Sequence, residues 1–270
     1  MASTRGLYYA NASTSFQSAV GRKGVLVAPC LAATGANAAK SSRGPQMSNP
    51  STSPTLSVRA RGPLAVFTDP AMKAERVTVP VMTPTAAIGL LTAVLWKPAI
   101  AWQIERIKVL APIAFTSIRR NEVTSKAPAP SALAMRGEAA YPSYFADDDR
   151  AQRNTVALRD VDYVIEARFA LTPAAGAEDN VAKFVDMFRR RVDKGQHFHQ
   201  PYLGVRECAA DVVSPDGAPP PIADTRELGR ILWWIDYDAP GGVRPHFFNA
   251  RLINGILDVP VPVRHGSSVA

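Results

Sequence analysis

The run Val161-Asp162-Tyr163-Val164-Ile165-Glu166-Ala167-Arg168-Phe169-Ala170-Leu171 decides the fold. Val161, Tyr163, Ile165, Ala167, Phe169 and Leu171 alternate strictly with their neighbours, the period of a strand with one face on a core. A helix signal follows. Asp179 or Asn180 supplies an N-cap, and Val181, Phe184, Val185, Phe188 and Val192 recur at helical spacing. Gly195 suits the left-handed residue that ends a helix. A further strand is expected over about Tyr202–Val213.

Working back toward the N-terminus, the same order recurs. Leu56, Val58, Leu64 and Val66 mark a strand over Leu56–Thr68, broken at Gly62-Pro63. Thr83 caps a helix that Pro84 opens and that carries Ala87, Leu90, Leu91 and Val94. Pro98 stops it. Trp102, Ile104, Ile107 and Val109 form the next strand. Ile113, Phe115 and Ile118 continue it or make a neighbour. Residues 126–150 are a long insertion rich in Ala, Pro, Ser and Asp.

Strand–helix–strand twice over is the α+β, ferredoxin-like βαββαβ order, an antiparallel sheet covered by two helices on one face. The other face is expected to be open, as in RNA-recognition modules. Strands near Ile231–Tyr237, Phe247–Ile253 and Ile256–Val259 add a C-terminal antiparallel β extension, and Asn254-Gly255 is a type I′ hairpin signal. Trp233 and Trp234 fall in a strand, so one is expected on each side.

The chain has 270 residues, 47% of them hydrophobic, and a formal net charge of +8. Residues 1–46 hold five of the 31 basic residues (Arg5, Arg22, Lys23, Lys40 and Arg43) and none of the 23 acidic ones. Most of the basic excess therefore lies outside the patterned region. Residues 1–46 are read as a disordered leader or upstream sequence, with Met47 as the start, in preference to an organelle transit peptide. The domains are then 47–213, the ferredoxin-like RNA-binding domain; 214–260, the β extension; and 261–270, a tail. Cys30 and Cys208 make neither a disulfide framework nor a zinc site. No apolar run approaches the roughly 18 residues that span a bilayer, so a cytoplasmic protein with no membrane partner is expected.

Several runs carry candidate chemistry. In Ile118-Arg119-Arg120-Asn121-Glu122, adjacent arginines point to opposite sides of a strand. One can hold a phosphate while the other stacks on a base or pairs with Glu122, and Asn121 can read a base edge. Arg189, Arg190, Arg191 and Lys194 fan over the polar side of the second helix, with Lys183 nearer its start. Trp96 beside Lys97 can stack a base whose phosphate meets the lysine. Gln196-His197-Phe198-His199-Gln200-Pro201-Tyr202 places two histidines two residues apart. With no nearby carboxylate or cysteine they make a poor metal site but suit proton transfer near neutral pH. Tyr202 and Arg206 complete the RNA-contact candidates, and neither cofactor nor metal is expected.

These runs, together with Phe67-Thr68-Asp69-Pro70, Met82-Thr83-Pro84-Thr85-Ala86-Ala87, Trp96-Lys97-Pro98-Ala99-Ile100, Asp149-Arg150, Gln152-Arg153-Asn154, Lys183-Phe184-Val185, Met187-Phe188-Arg189-Arg190-Arg191 and Ala250-Arg251-Leu252, resemble the subtype I-C (Dvulg) CRISPR-associated RAMP proteins, the d branch of the Cas-five family. The resemblance covers about 47–260. It implies a metal-independent endoribonuclease that cuts CRISPR repeat RNA at the 3′ base of its hairpin. It also implies that the protein keeps the 5′ handle of the guide RNA and stays beside the backbone and large subunits of the type I-C interference complex. An inactive handle-binding subunit is the alternative. By resemblance, a catalytic tyrosine would precede Trp96 and a histidine would follow Lys183, and here those positions are Leu95 and Phe184. The resemblance then leaves Lys183, His199 and His197 as the catalytic candidates.

Overall fold

The computed structural model describes residues 51–261 apart from 73–74, 141–142, 238 and 240–241, all within the unit Met47–Ala270. The expectations for residues 1–46, for Met47 as the start and for the tail beyond Val261 lie outside the described residues.

The elements run β1 (Leu56–Ala65), β2 (Arg76–Val77), α1 (Pro84–Val94), β3 (Ile100–Val109), β4 (Phe115–Val123), α2 (Ala132–Met135), β5 (Arg150–Leu171), α3 (Val181–Asp193), β6 (Asp211–Val213), β7 (Arg226–Asp236), β8 (Arg244–Ile253) and β9 (Ile256–Asp258). The sheet order is β6-β1-β5-β3-β9-β8-β7. Its first four members pair antiparallel, and with α1 and α3 they make the βαββαβ core. Thr83 caps α1 by accepting from the Ala86 N–H, and Asn180 caps α3 by accepting from Lys183. Asn254 and Gly255 both have positive φ, at 47° and 74°, as a type I′ turn requires.

The alternating run is the second half of a 22-residue strand. Its odd-numbered side chains meet the helices. Phe169 packs edge-on against Trp102 at 5.3 Å and against Phe184 at 6.3 Å, and Trp102 also meets Phe188 at 4.9 Å. This aromatic cluster ties α3 to the sheet. Tyr163 is wholly buried in the same layer, and burial pushes its phenol well above the usual range.

Four expectations need correction. First, β1 runs through Gly62-Pro63 with unbroken register against β5. Second, only Asp211–Val213 of the Tyr202–Val213 stretch is strand; Tyr202 and Ala209 form a lone bridge that closes a loop. Third, the sheet face away from the helices is not open at its centre. Val164 and Glu166 point there yet are 6% and 8% exposed. Glu166 pairs with Arg106 (2.7 Å) and Lys108 (2.5 Å), Asp162 with Arg59 (2.5 Å), and Arg61 with Asp211 (2.7 Å). Long basic stems lie over the apolar sheet, and carboxylates already occupy their heads. Fourth, the register of β7 against β8 shifts between Leu232 and Trp234, so both tryptophans line one groove instead of taking opposite faces.

β4 pairs along the first half of β5, and the insertion lies between them. Asp149 closes its base. Its carboxylate accepts from the Ser125 amide at 2.8 Å, the Ser125 hydroxyl and the Tyr144 hydroxyl at 3.0 Å. The Ser125 hydroxyl, then the Ser125 amide, hold this carboxyl below the usual range, with Tyr144 adding to them. A depressed carboxyl supports the fold above its ordinary pKa of about 4, and that support goes as pH falls through the lowered value. The Ser125 amide resonance is therefore expected to move upfield on acidification below about pH 4 and to be pH-independent in Asp149→Ala.

Among the described residues, no helix is long and apolar enough to cross a membrane.

Candidate nucleic-acid interface

A helix leaves its last carbonyls without internal partners. At the end of α1 those carbonyls organise the site. Gly195, at φ 61°, turns the chain back after α3, with its amide donating to Val192 and that of Gln196 to Arg191. The returning loop lands on α1. The Phe198 and His199 amides donate to the Ala93 carbonyl at 2.7 and 3.3 Å. The Arg191 guanidinium donates to the Val94 carbonyl at 2.6 Å, and the Trp102 indole to that of Leu95 at 3.5 Å.

This docking stacks Phe198 on Trp96, with ring centres 5.6 Å apart and planes at 25°. Both rings stay open to solvent, at 60% and 52% exposure. Such an exposed aromatic pair has the geometry of a platform for unpaired bases. His199 adjoins it, 5.8 Å from Phe198 and stacked on Tyr202 at 6.2 Å. The His199 Nδ1 lies 3.2 Å from the Gln200 carbonyl. A carbonyl only accepts, so this bond puts the proton on Nδ1 and leaves Nε2 as the acceptor in the neutral ring. His197, also exposed, lines a small cleft with Val94, Arg191 and Gln200.

Lys97 follows Trp96 toward the start of α3. There the Lys183 ammonium meets Asp179 at 2.9 Å, and Asp179 also accepts from the Gly176 amide at 3.0 Å. Lys183 first, then the Gly176 amide, hold the Asp179 carboxyl below the usual range, and the charge of Lys97 adds to them. Lys183 and Arg191 are eight residues apart, about 12 Å along the axis. Lys183 therefore sits at one end of α3 and the His199 loop joins at the other, with Trp96-Lys97 between them.

Leu95 and Phe184 do not open onto this surface. They are 0% and 2% exposed, and Phe184 packs on Phe169. Neither side chain can move a proton. Among the described residues, no three His, Cys, Asp or Glu side chains are grouped to hold a metal ion.

The remaining candidates lie on two further surfaces. On β4, Arg119 and Asn121 project from the exposed face, opposite Asn154 and Gln152 of β5. Arg120 takes the other face. It pairs with Glu122, bonds Thr155 at 3.1 Å and reaches Glu207 at 3.5 Å, and Arg76 shares both acids. Arg189, Arg190, Lys194 and Arg206 are exposed. Arg191 departs from its neighbours, because its guanidinium serves the end of α1. Sequence reasoning did not pick out Phe198 as a contact residue or Asp179 as the partner of the lysines. The signal for Phe198 was a large apolar residue between two histidines in a polar loop. Asp179 was legible as the residue four before Lys183.

Residues 55–260 match the profile of the Cas5d type, described as "CRISPR-associated protein (Cas_Cas5)". Two proteins named CRISPR pre-crRNA endoribonuclease Cas5d are similar in sequence. The one from Mannheimia succiniciproducens is 46% identical over 206 residues, covering 74% of this chain and 92% of that protein. The one from Thermus thermophilus is 36% identical over 222 residues, covering 76% and 91%. In structure, a crystal structure of a CRISPR-associated protein aligns with a TM-score of 0.56 at 21% identity, over 77% of this chain and 93% of that one. A functionally uncharacterized Streptococcus mutans protein, SMU1763c, aligns at 0.55 with the same identity and coverage. At this identity the structural matches speak to fold alone.

Proposed function

The chain belongs to the Cas5d family of CRISPR-associated proteins, and from that premise we propose that it is a pre-crRNA endoribonuclease. It cuts CRISPR repeat RNA and then keeps the 5′ handle of the guide in a type I-C interference complex, beside the backbone and large subunits, in the cytoplasm. The observation that carries this reading is the exposed Trp96–Phe198 stack with His199 beside it, its Nε2 free to accept.

The chemistry needs only proton transfers and charge stabilisation. A base splayed from the repeat stacks on Trp96 and Phe198. His199 Nε2 removes the proton from the neighbouring ribose 2′-hydroxyl. The 2′-oxygen attacks the adjacent phosphorus, and the bond to the 5′-oxygen breaks. His197 supplies the proton for that leaving oxygen, and Lys97 offsets the negative charge on the phosphorane, while Lys183, paired with Asp179 at the far end of α3, meets the RNA backbone away from the cut. No metal enters these steps. The products are a 2′,3′-cyclic phosphate and a 5′-hydroxyl. Testing the cognate repeat transcript against a scrambled hairpin of equal length checks this reading. Cutting of the cognate RNA at one position supports it, and equal treatment of both contradicts it.

A second reading, a handle-binding subunit without chemistry, is favoured by one observation: Leu95 and Phe184 are core residues. It predicts tight repeat binding with no product.

The β4 arginines give a separate expectation. Arg119 is exposed with no ion pair among the described residues, whereas Arg120 is held by Glu122 and Glu207. Arg119→Ala is expected to lower the slope of log affinity against log salt by about one unit and to leave the melting temperature unchanged. Arg120→Ala is expected to lower both affinity and melting temperature. Fluorescence anisotropy at several salt concentrations, with thermal unfolding, separates the two.

A further inference from the structure

Neighbouring carbonyls at the end of α1 hold two different groups. The Ala93 carbonyl accepts from the Phe198 and His199 amides, and the Val94 carbonyl accepts from the Arg191 guanidinium at 2.6 Å. One helix end therefore fixes a guanidinium beside the loop that carries both histidines. Arg191 is half-buried, and among the described residues no carboxylate pairs with it. It lines a cleft of about 160 Å³ with His197 and Gln200. Asp211 lines the same cleft, but its carboxylate is engaged by Arg61 at 2.7 Å.

Capping one carbonyl takes one N–H. A guanidinium carries five in a planar fork and keeps its charge at any pH the protein meets. Arg191 gives one of them to Val94, and among the described residues the others have no acceptor. The other cations of this surface are placed differently. Lys183 is bound to Asp179 at the far end of α3, and the charge of Lys97 also acts on Asp179. Arg189, Arg190 and Lys194 are exposed. Ordering such a long, free side chain over a phosphate costs side-chain entropy. Arg191 is already ordered by Val94, and a charge fixed in advance stabilises a transition state without reorganisation.

We propose that Arg191 is a catalytic residue of RNA cleavage, whose guanidinium donates to a non-bridging oxygen of the scissile phosphate on the His197 side and stabilises the phosphorane. The inference rests on the RNA-processing reading and names the group that faces the developing charge. Arg191 keeps all its protons throughout, and the histidines carry out both proton transfers. The fork lets one side chain hold Val94 and the phosphate together, which the point charge of a lysine does less well.

Single-turnover cleavage of the cognate repeat at saturating protein tests this, with the scissile phosphate normal or replaced by either phosphorothioate diastereomer. Arg191→Ala is expected to cut the normal repeat about 10²-fold more slowly, the usual loss on removing one oxyanion donor, with repeat affinity retained. Arg191→Lys is expected to recover part of the rate. The wild type is expected to cut one diastereomer more slowly than the other, and Arg191→Ala to cut both equally. If Arg191→Ala does not fold, Arg191→Lys gives the same reading through a reduced rate and a smaller difference between diastereomers. Wild-type rates in these variants overturn the proposal. So does a loss that slows every substrate alike and leaves the diastereomer difference intact, because that is the mark of a merely structural tie to α1. Failure of the RNA-processing reading looks different: the wild type itself yields no product from any of the substrates, and the inference falls with it.

Discussion

His199→Ala is expected to lower the rate of repeat cleavage by about 10²- to 10⁴-fold, the usual contribution of a positioned general base, while repeat affinity changes by less than about threefold. The separation follows from the geometry. The imidazole is exposed, and among the described residues its side-chain hydrogen bond goes to the Gln200 carbonyl at 3.2 Å. The loop is held by main-chain bonds to Ala93, which alanine keeps. The variant should therefore fold and bind with the Trp96–Phe198 platform intact. Single-turnover cleavage at saturating protein reads the chemical step, and anisotropy reads binding. A variant that cuts at the wild-type rate would remove His199 from the chemistry.

Gly204→Ala is expected to cost more than about 3 kcal/mol of stability. Gly204 has φ +88°, and a Cβ there would lie 2.0 Å from the Val66 carbonyl oxygen and 2.6 Å from its carbon. Backbone on both sides leaves no flexible group to yield. The close approach exists because the loop after α3 is tied to the end of β1, with the Val66 amide donating to Leu203 at 3.0 Å and the Leu203 amide to Cys208 at 2.7 Å. Leu203 itself is fully buried. Forcing this loop away would displace Tyr202 from His199 and Glu207 from Arg76 and Arg120. Denaturant unfolding measures the loss, and a midpoint indistinguishable from wild type would contradict the reading of this turn.

What was legible in the sequence was local. The alternation of Val161–Leu171, the Thr83-Pro84 and Asn180 starts and the Asn254-Gly255 turn each depend on a few neighbouring residues. So the βαββαβ order and the C-terminal strands could be read. What was not legible depends on distant partners. The first half of β5 lacks clean alternation and becomes a strand by pairing with β4. Tyr202–Val213 reads as strand from its composition, but its bonds to Val66 bend it into a loop. The bulge that turns Trp233 and Trp234 the same way is set by β8. At the site, the candidate residues were readable as types, but their grouping was not. Phe198 meets Trp96 because α1 ends with free carbonyls, and Arg191 serves the same end instead of joining Arg189 and Arg190 on the polar face.

The central claim is cleavage by proton transfer at His199, and the 3′ end of the product tests it most directly. The full chain is incubated with its cognate repeat transcript in EDTA, and the fragments are weighed by mass spectrometry. A 5′ fragment ending in a 2′,3′-cyclic phosphate, absent with His199→Ala, is the predicted result. Repeat RNA that is bound but intact, or cutting that EDTA abolishes, would contradict it.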